Sequence, residues 1–224
     1  MKKFFLLGIV SMITITLLGQ GRYIKEMEKH LVGFDSVRSA AVLIEKANAF
    51  ERIAEAEKNE WLPYYFAALS RVNLGYTFTF GPTGGNTAKS DPLADKAEEL
   101  LNKADSLDPN NSEIYLVRKM IATLRMLGDV MNRFMTEGKI ASDALAMAKK
   151  LNPENPRVYV MEGIDFFNTP EQYGGNKARA KELFEEAFMK FDSYKPASSI
   201  HPDWGRGRAS YFLSQFKTGA GKSN

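Results

Sequence analysis

One spacing occurs twice in this chain, and it constrains the fold more than anything else in the sequence. Ala97, Leu101, Ala104 and Pro109 are separated by four, three and five residues, and Ala141, Leu145, Ala148 and Pro153 repeat those intervals. Steps of three and four put side chains on one face of a helix. Alanine at the outer places lets a second helix approach closely, and the leucine between them fills the seam. The proline ends one helix and opens the next, where its missing N–H costs nothing. Both prolines sit in a matching context, Leu107-Asp108-Pro109-Asn110 and Leu151-Asn152-Pro153-Glu154.

A complementary pattern follows each proline by six residues. After Pro153 come Tyr159, Gly163 and Phe166, an aromatic, a small residue and a second aromatic on one helix face. After Pro109 comes Tyr115, but Lys119 stands where the small residue belongs. Trp61, Tyr65 and Ala68 read as an earlier first helix, and Ala180, Phe184 and Ala187 as a last second helix without its proline. Taken together, these motifs resemble the tetratricopeptide repeat. The two prolines lie 44 residues apart by number, against ~34 in the standard unit, so the resemblance is to a divergent member with lengthened helices or turns near Gly128 to Gly138. Phe50-Glu51-Arg52-Ile53-Ala54 running into Trp61-Leu62-Pro63-Tyr64-Tyr65 is similar to small secreted tetratricopeptide proteins of Bacteroidetes-type bacteria. That resemblance implies fold and location, and no activity.

The expected fold is therefore all-α, a right-handed superhelical array of antiparallel helix pairs with divergent repeats. Helices are expected near 23–34, 36–59, 61–75, 91–107, 112–127, 130–151, 157–167, 177–191 and 203–217, with Ser36 and Asp91 as caps. Tyr76 to Phe80 alternates like a strand but has no evident partner. The link from Gly75 to Ser90 is long for a helix hairpin. The insertion from Asn168 to Asn176 is shorter and carries Pro170 and Tyr173, which favours ordered packing.

The resemblance also implies a surface. First helices of such arrays line the concave side, and counting from the aromatics puts Leu62, Phe66, Leu69, Leu116, Met120, Val160, Ile164 and Phe167 inward. An apolar stripe of that size is not left bare to water. Either the protein's own end helices fill it, or a partner does. The expected role is a non-catalytic exported scaffold that binds a protein or peptide partner there. The alternative is an accessory protein that holds a small apolar ligand in its concave cavity.

The first residues bear on location. Lys2 and Lys3 precede an apolar run from Phe4 to Leu18 that Gly19-Gln20-Gly21 breaks. A basic start, a short apolar stretch and small residues make a secretory signal, and about 15 residues fall short of the ~20 a spanning helix needs. The expected organisation is a signal peptide over 1–21, a helical-repeat domain over 22–217 and a disordered tail over 218–224. Membrane contact is expected only through the signal before cleavage, and the mature protein in the periplasm or outside the cell. The sequence contains no cysteine, so no disulfide staples an exported fold and no lipid-anchoring cysteine follows the signal.

Nothing points to catalysis or a bound cofactor. Thirty basic against 27 acidic side chains gives a net charge of +3, too small a surplus to argue for nucleic acid. His30 is four residues from Glu26 on one helix face, and His201 lies in the turn Ile200-His201-Pro202-Asp203. One histidine and one carboxylate make no metal site in either place. No serine sits in a glycine-flanked elbow, and Gly81-Pro82-Thr83-Gly84-Gly85 lacks the lysine of a phosphate loop. The export reading is tested by sequencing the N-terminus of the protein from an envelope or medium fraction. It should begin at Gln20 or Arg22, whereas intact Met1 in washed membranes would show that the segment is retained.

Overall fold

A computed structural model describes residues 20–79 and 85–217. The expected signal segment up to Gly19, the glycine-rich stretch around Gly81 and the polar tail lie outside them. Among the described residues the chain is helical throughout, with no strand. The helices are α1 over 20–31, α2 Ala40–Ala56, α3 Trp61–Tyr76, α4 Thr87–Leu107, α5 Ser112–Gly128, α6 Val130–Leu151, α7 Pro156–Asn168, α8 Lys177–Ser193 and α9 Arg206–Lys217. Short 3-10 turns occupy Phe34–Ser36 and Glu171–Tyr173.

Five successive helices start on an Asn or Asp side chain that accepts a hydrogen bond from a backbone N–H of the first turn. These are Asn86, Asn111, Asp129, Asn155 and Asn176. Each satisfies a donor that the helix itself cannot pair. The expected start at Asp91 is therefore late by one turn: α4 begins at Thr87, Pro92 sits inside it, and the Asp91 carboxylate is taken by Arg133 at 2.7 and 2.8 Å. Ser36 likewise closes a 3-10 turn, and α2 begins at Ala40. Tyr76 ends α3, and Thr77 to Thr79 form a turn where the alternation suggested a strand.

The hairpins α3–α4, α5–α6 and α7–α8 pack closely, and the first helices α3, α5 and α7 touch in sequence. The seams run through the predicted small residues. Ala97, Leu101, Ala104, Ala148, Ala180, Phe184 and Ala187 are all buried, and Ala141 nearly so. At Gly163 a Cβ would come within 2.7 Å of the Phe184 ring, so the small residue is what lets α7 lie against α8. Lys119, which breaks the sequence pattern, is buried and reaches across to α7, where its Nζ donates to Asp165 at 2.6 Å.

The ends of the chain close the array. Phe34 packs edge-on against Phe66 and Phe50, and Phe50 stacks on Phe66 at 5.4 Å. The Lys46 ammonium, whose pKa burial lowers, donates to the carbonyls of His30 and Val32 at 2.6 and 3.2 Å and so caps the end of α1. After α8 the chain crosses back over the first helices. Trp204, buried, donates from its indole to Tyr65 Oη at 2.8 Å. Gly205 takes φ +107°, a backbone conformation side chains rarely adopt. The start of α9 is capped from the other end of the molecule, because Gly205 and Gly207 N–H groups donate to the two oxygens of Asp35 at 2.8 and 2.9 Å.

Two substitutions test this packing. Ala148→Leu should overpack the α5–α6 seam and lower stability by ~1–3 kcal/mol in denaturant titration, and an unchanged midpoint would remove the seam. Trp204→Ala should cost ~3–5 kcal/mol, since the side chain is buried and its indole N–H is hydrogen-bonded; a variant as stable as the parent would show that the crossing segment is not docked.

Candidate functional site: the cleft between α6 and α7

The eight residues expected to line an open concave groove are inside the protein. Leu62, Phe66, Leu69, Leu116, Met120 and Val160 are fully buried in the single core cluster, and Ile164 and Phe167 are packed against it. The covering material is the chain itself. Phe66 meets Phe34 and Phe50, Val160 lies 4.0 Å from where a Gly205 Cβ would stand, and Phe167 meets Phe212 and Phe216 of α9 at 5.1 and 5.5 Å. The groove is thus self-filled, and these residues do not present a free surface.

An apolar surface that is free lies on the other side of α7. Eleven large hydrophobic side chains are exposed among the described residues, and five belong to α6: Val130, Met131, Phe134, Met135 and Ile140. Their concentration on one helix singles it out. α6 has 22 residues and α7 has 13, so at 1.5 Å per residue α6 outruns its antiparallel neighbour by roughly 13 Å. The overhang is held on its inner side, where Arg133 grips Asp91. Met131, Phe134 and Met135 face away from that support and remain open to solvent.

The same face continues into a cleft. Counting along α6 by threes and fours from Met131 reaches Phe134, Met135, Gly138, Ser142, Leu145, Ala146 and Lys149. The last four of these form one wall of a cleft of about 370 Å³. Glu162, Asp165 and Phe166 of α7 form the other wall, and Thr169, Tyr173 and Gly174 of the following loop close its end. α6 and α7 touch only sparsely compared with the hairpin pairs, which is why a cleft exists there.

The loop at the closed end is well anchored. Asn176 N–H donates to Phe166 O at 3.1 Å, and Gly175 and Tyr173 N–H groups donate to Pro170 O at 3.1 and 2.9 Å. Gly174 adopts φ +94°, the left-handed conformation that the turn needs. Tyr173 projects from it largely exposed. Ordered packing of the Asn168 to Asn176 insertion agrees with the sequence reading.

Charge gathers at the opposite end. Lys149 Nζ donates to Glu162 Oε2 at 2.8 Å and stands 5.1 Å over the Tyr159 ring, while Asp165 is neutralised from beneath by Lys119. Along α6, exposed thioether and aromatic side chains at its start thus precede a cleft that holds an ion pair near the helix end. A second depression of about 400 Å³, between α3 and α4, has Leu100 as its only aliphatic wall and is rimmed by Glu99, Asn102, Lys103 and Ser106.

Neither histidine borders the cleft. His30 packs against Phe50, and His201 Nδ1 pairs with Ser198 Oγ at 2.7 Å beside Trp61. Burial lowers the pKa of both. Among the described residues no group of three or more His, Asp or Glu is placed to hold a metal ion, and no helix is long and apolar enough to cross a membrane.

The exposed stripe on α6 is what sequence reasoning missed. Its signal was present in the lengthened unit between Pro109 and Pro153, whose extra residues extend α6 beyond the reach of α7.

No protein-family model matches this chain, and no curated protein does. Among solved structures, the chain is similar to the HusA haemophore from Porphyromonas gingivalis, with a TM-score of 0.76 and 29% identity over 90% of this chain and 96% of that one. The match spans nearly the whole of both molecules, and it relates this chain to a helical binding protein of a Bacteroidetes bacterium rather than to an enzyme.

Proposed function

We propose that the protein is an exported carrier of a flat, amphipathic ligand of the haem class, held in the cleft between α6 and α7. The observation that carries this reading is the apolar face of α6, which the fold leaves uncovered on the same helix that walls a concave site. The likeness to a haemophore supplies the ligand class. Export rests on the basic, then apolar, then small-residue pattern of residues 1–21.

The chemistry suits such a cargo. A macrocycle offers two broad apolar faces, and thioether and aromatic side chains stack on such faces favourably. Met131 and Met135 are one turn apart with Phe134 between them, and Tyr173, Leu145 and Phe166 complete an open trough. Methionine's flexible side chain lets the trough adapt to a ligand that enters from solvent. The role of these residues is to remove ligand surface from water, and burial of each apolar side chain contributes on the order of 1.5–3 kcal/mol. The row of first helices, by contrast, offers a protein or peptide partner no free surface, because the crossing C-terminal segment occupies it.

The test is a haem titration followed by visible absorbance. The parent protein should saturate, and Met135→Glu should weaken binding by at least about tenfold, since a carboxylate would be desolvated under the ligand. Met135 is exposed, so helical content by circular dichroism should not change. Equal affinity of parent and variant would place the ligand elsewhere.

A further inference from the structure

The charged end of the cleft points to what part of the ligand it receives. We propose that Lys149 is the specificity residue of the site and that it binds a carboxylate of the ligand by exchanging Glu162 for it, so that only ligands with a free acid edge are held in one orientation. The proposal rests on the carrier reading of the same cleft.

Three observations support it. First, Lys149 lines the cleft on the later part of α6, and the exposed Met131, Phe134 and Met135 lie earlier on the same helix, beyond the cleft lining. An amphipathic molecule lying along α6 meets apolar groups with its hydrocarbon edge and Lys149 with its acid edge. Second, Lys149 is the cation among the described residues that line the cleft; Lys119 is buried beneath Asp165. Lys190 flanks the far part of the same Tyr159 ring but is paired with Glu154 and does not border the cleft. Third, the Lys149–Glu162 pair is geometrically suited to exchange. Its ammonium remains partly open to solvent, with 40% of the side chain exposed, and it rests over the Tyr159 ring, which holds the cation in place while its partner changes. An ion pair this exposed is worth little by itself, so a ligand carboxylate can compete with Glu162.

The experiment compares ferric haem with its dimethyl ester, in which both carboxylates are blocked, using the purified parent, K149M, E162Q and Met135→Glu. The parent should prefer the free acid by about fivefold, the order expected of one partly exposed ion pair. K149M should abolish that preference while leaving ester affinity unchanged. E162Q should move the other way, raising affinity for the acid severalfold and not for the ester, because it frees the ammonium. A structural role for the pair would instead shift both ligands alike, in the same direction for both variants. Equal binding of acid and ester by the parent, or parallel shifts in K149M and E162Q, overturns the proposal. Met135→Glu separates the two claims: it should weaken both ligands equally. If it weakens neither, the cleft itself is wrong, and the anchoring role fails with it.

Discussion

A buried ion pair organises this fold. Arg157 is fully buried at the start of α7, and its Nε donates to Glu113 Oε1 of α5 at 2.7 Å. The same oxygen accepts from the Asn155 side chain at 2.6 Å, and Glu113 Oε2 accepts from Tyr65 of α3 at 2.9 Å. Tyr65 in turn accepts from Trp204, whose carbonyl faces Arg157 Nη1 at 3.4 Å. Four parts of the chain thus meet at two charges. Burial acts against the charged guanidinium more strongly than any other single influence, but the field and hydrogen bond of Glu113 together with Tyr194 and Tyr65 outweigh it and raise the Arg157 pKa, while burial first and then Glu113 raise that of Tyr65. Breaking such a pair strands one charge in the interior at a cost of ~3–5 kcal/mol. The three first helices and the C-terminal segment are for that reason fixed together rather than merely stacked.

That linkage decides which faces of the fold stay open. With Trp204 tied to Tyr65, and Asp35 capping α9 from the opposite end of the chain, the row of first helices becomes the core. Surface left for recognition must come from elements outside the closure. α6 is such an element: it packs on α5, its first turns extend past α7, and Arg133 and Asp91 brace its inner side. The length mismatch between neighbouring helices opens the proposed site.

The helical pairs were legible because local periodicity carries them. Ala104, Ala148 and Gly163 announce close seams by size alone, and all eight of the structured elements from α2 onward fall within a few residues of their expected places. The misreadings concern interactions between distant residues. Asp91 looks like a cap beside Pro92, yet Arg133 claims it and Asn86 starts the helix. The last helix is expected from residue 203, yet it begins at Arg206 and is capped across the fold by Asp35. Lys119 looks like a flaw in the repeat, and its reason, Asp165, lies on the next first helix. The apolar positions from Leu62 to Phe167 lie in the core or packed against it. Their occupant was not readable, since periodicity says which way a side chain points and nothing about what arrives to cover it.

The central claim is that cargo sits outside this closure, on α6, and leaves the core undisturbed. Methyl NMR of methionine-labelled protein tests it directly, because methionines mark both places. Met131 and Met135 lie on the exposed face of α6, whereas Met120 is buried on α5 and Met27 beneath the N-terminal cap. Ferric haem is paramagnetic, and its broadening falls steeply with distance. Titration should broaden the Met131 and Met135 methyl signals strongly and leave those of Met27 and Met120 sharp. Loss of the Met120 signal with Met131 and Met135 unaffected would contradict the account, and would place the ligand under a displaced C-terminal segment.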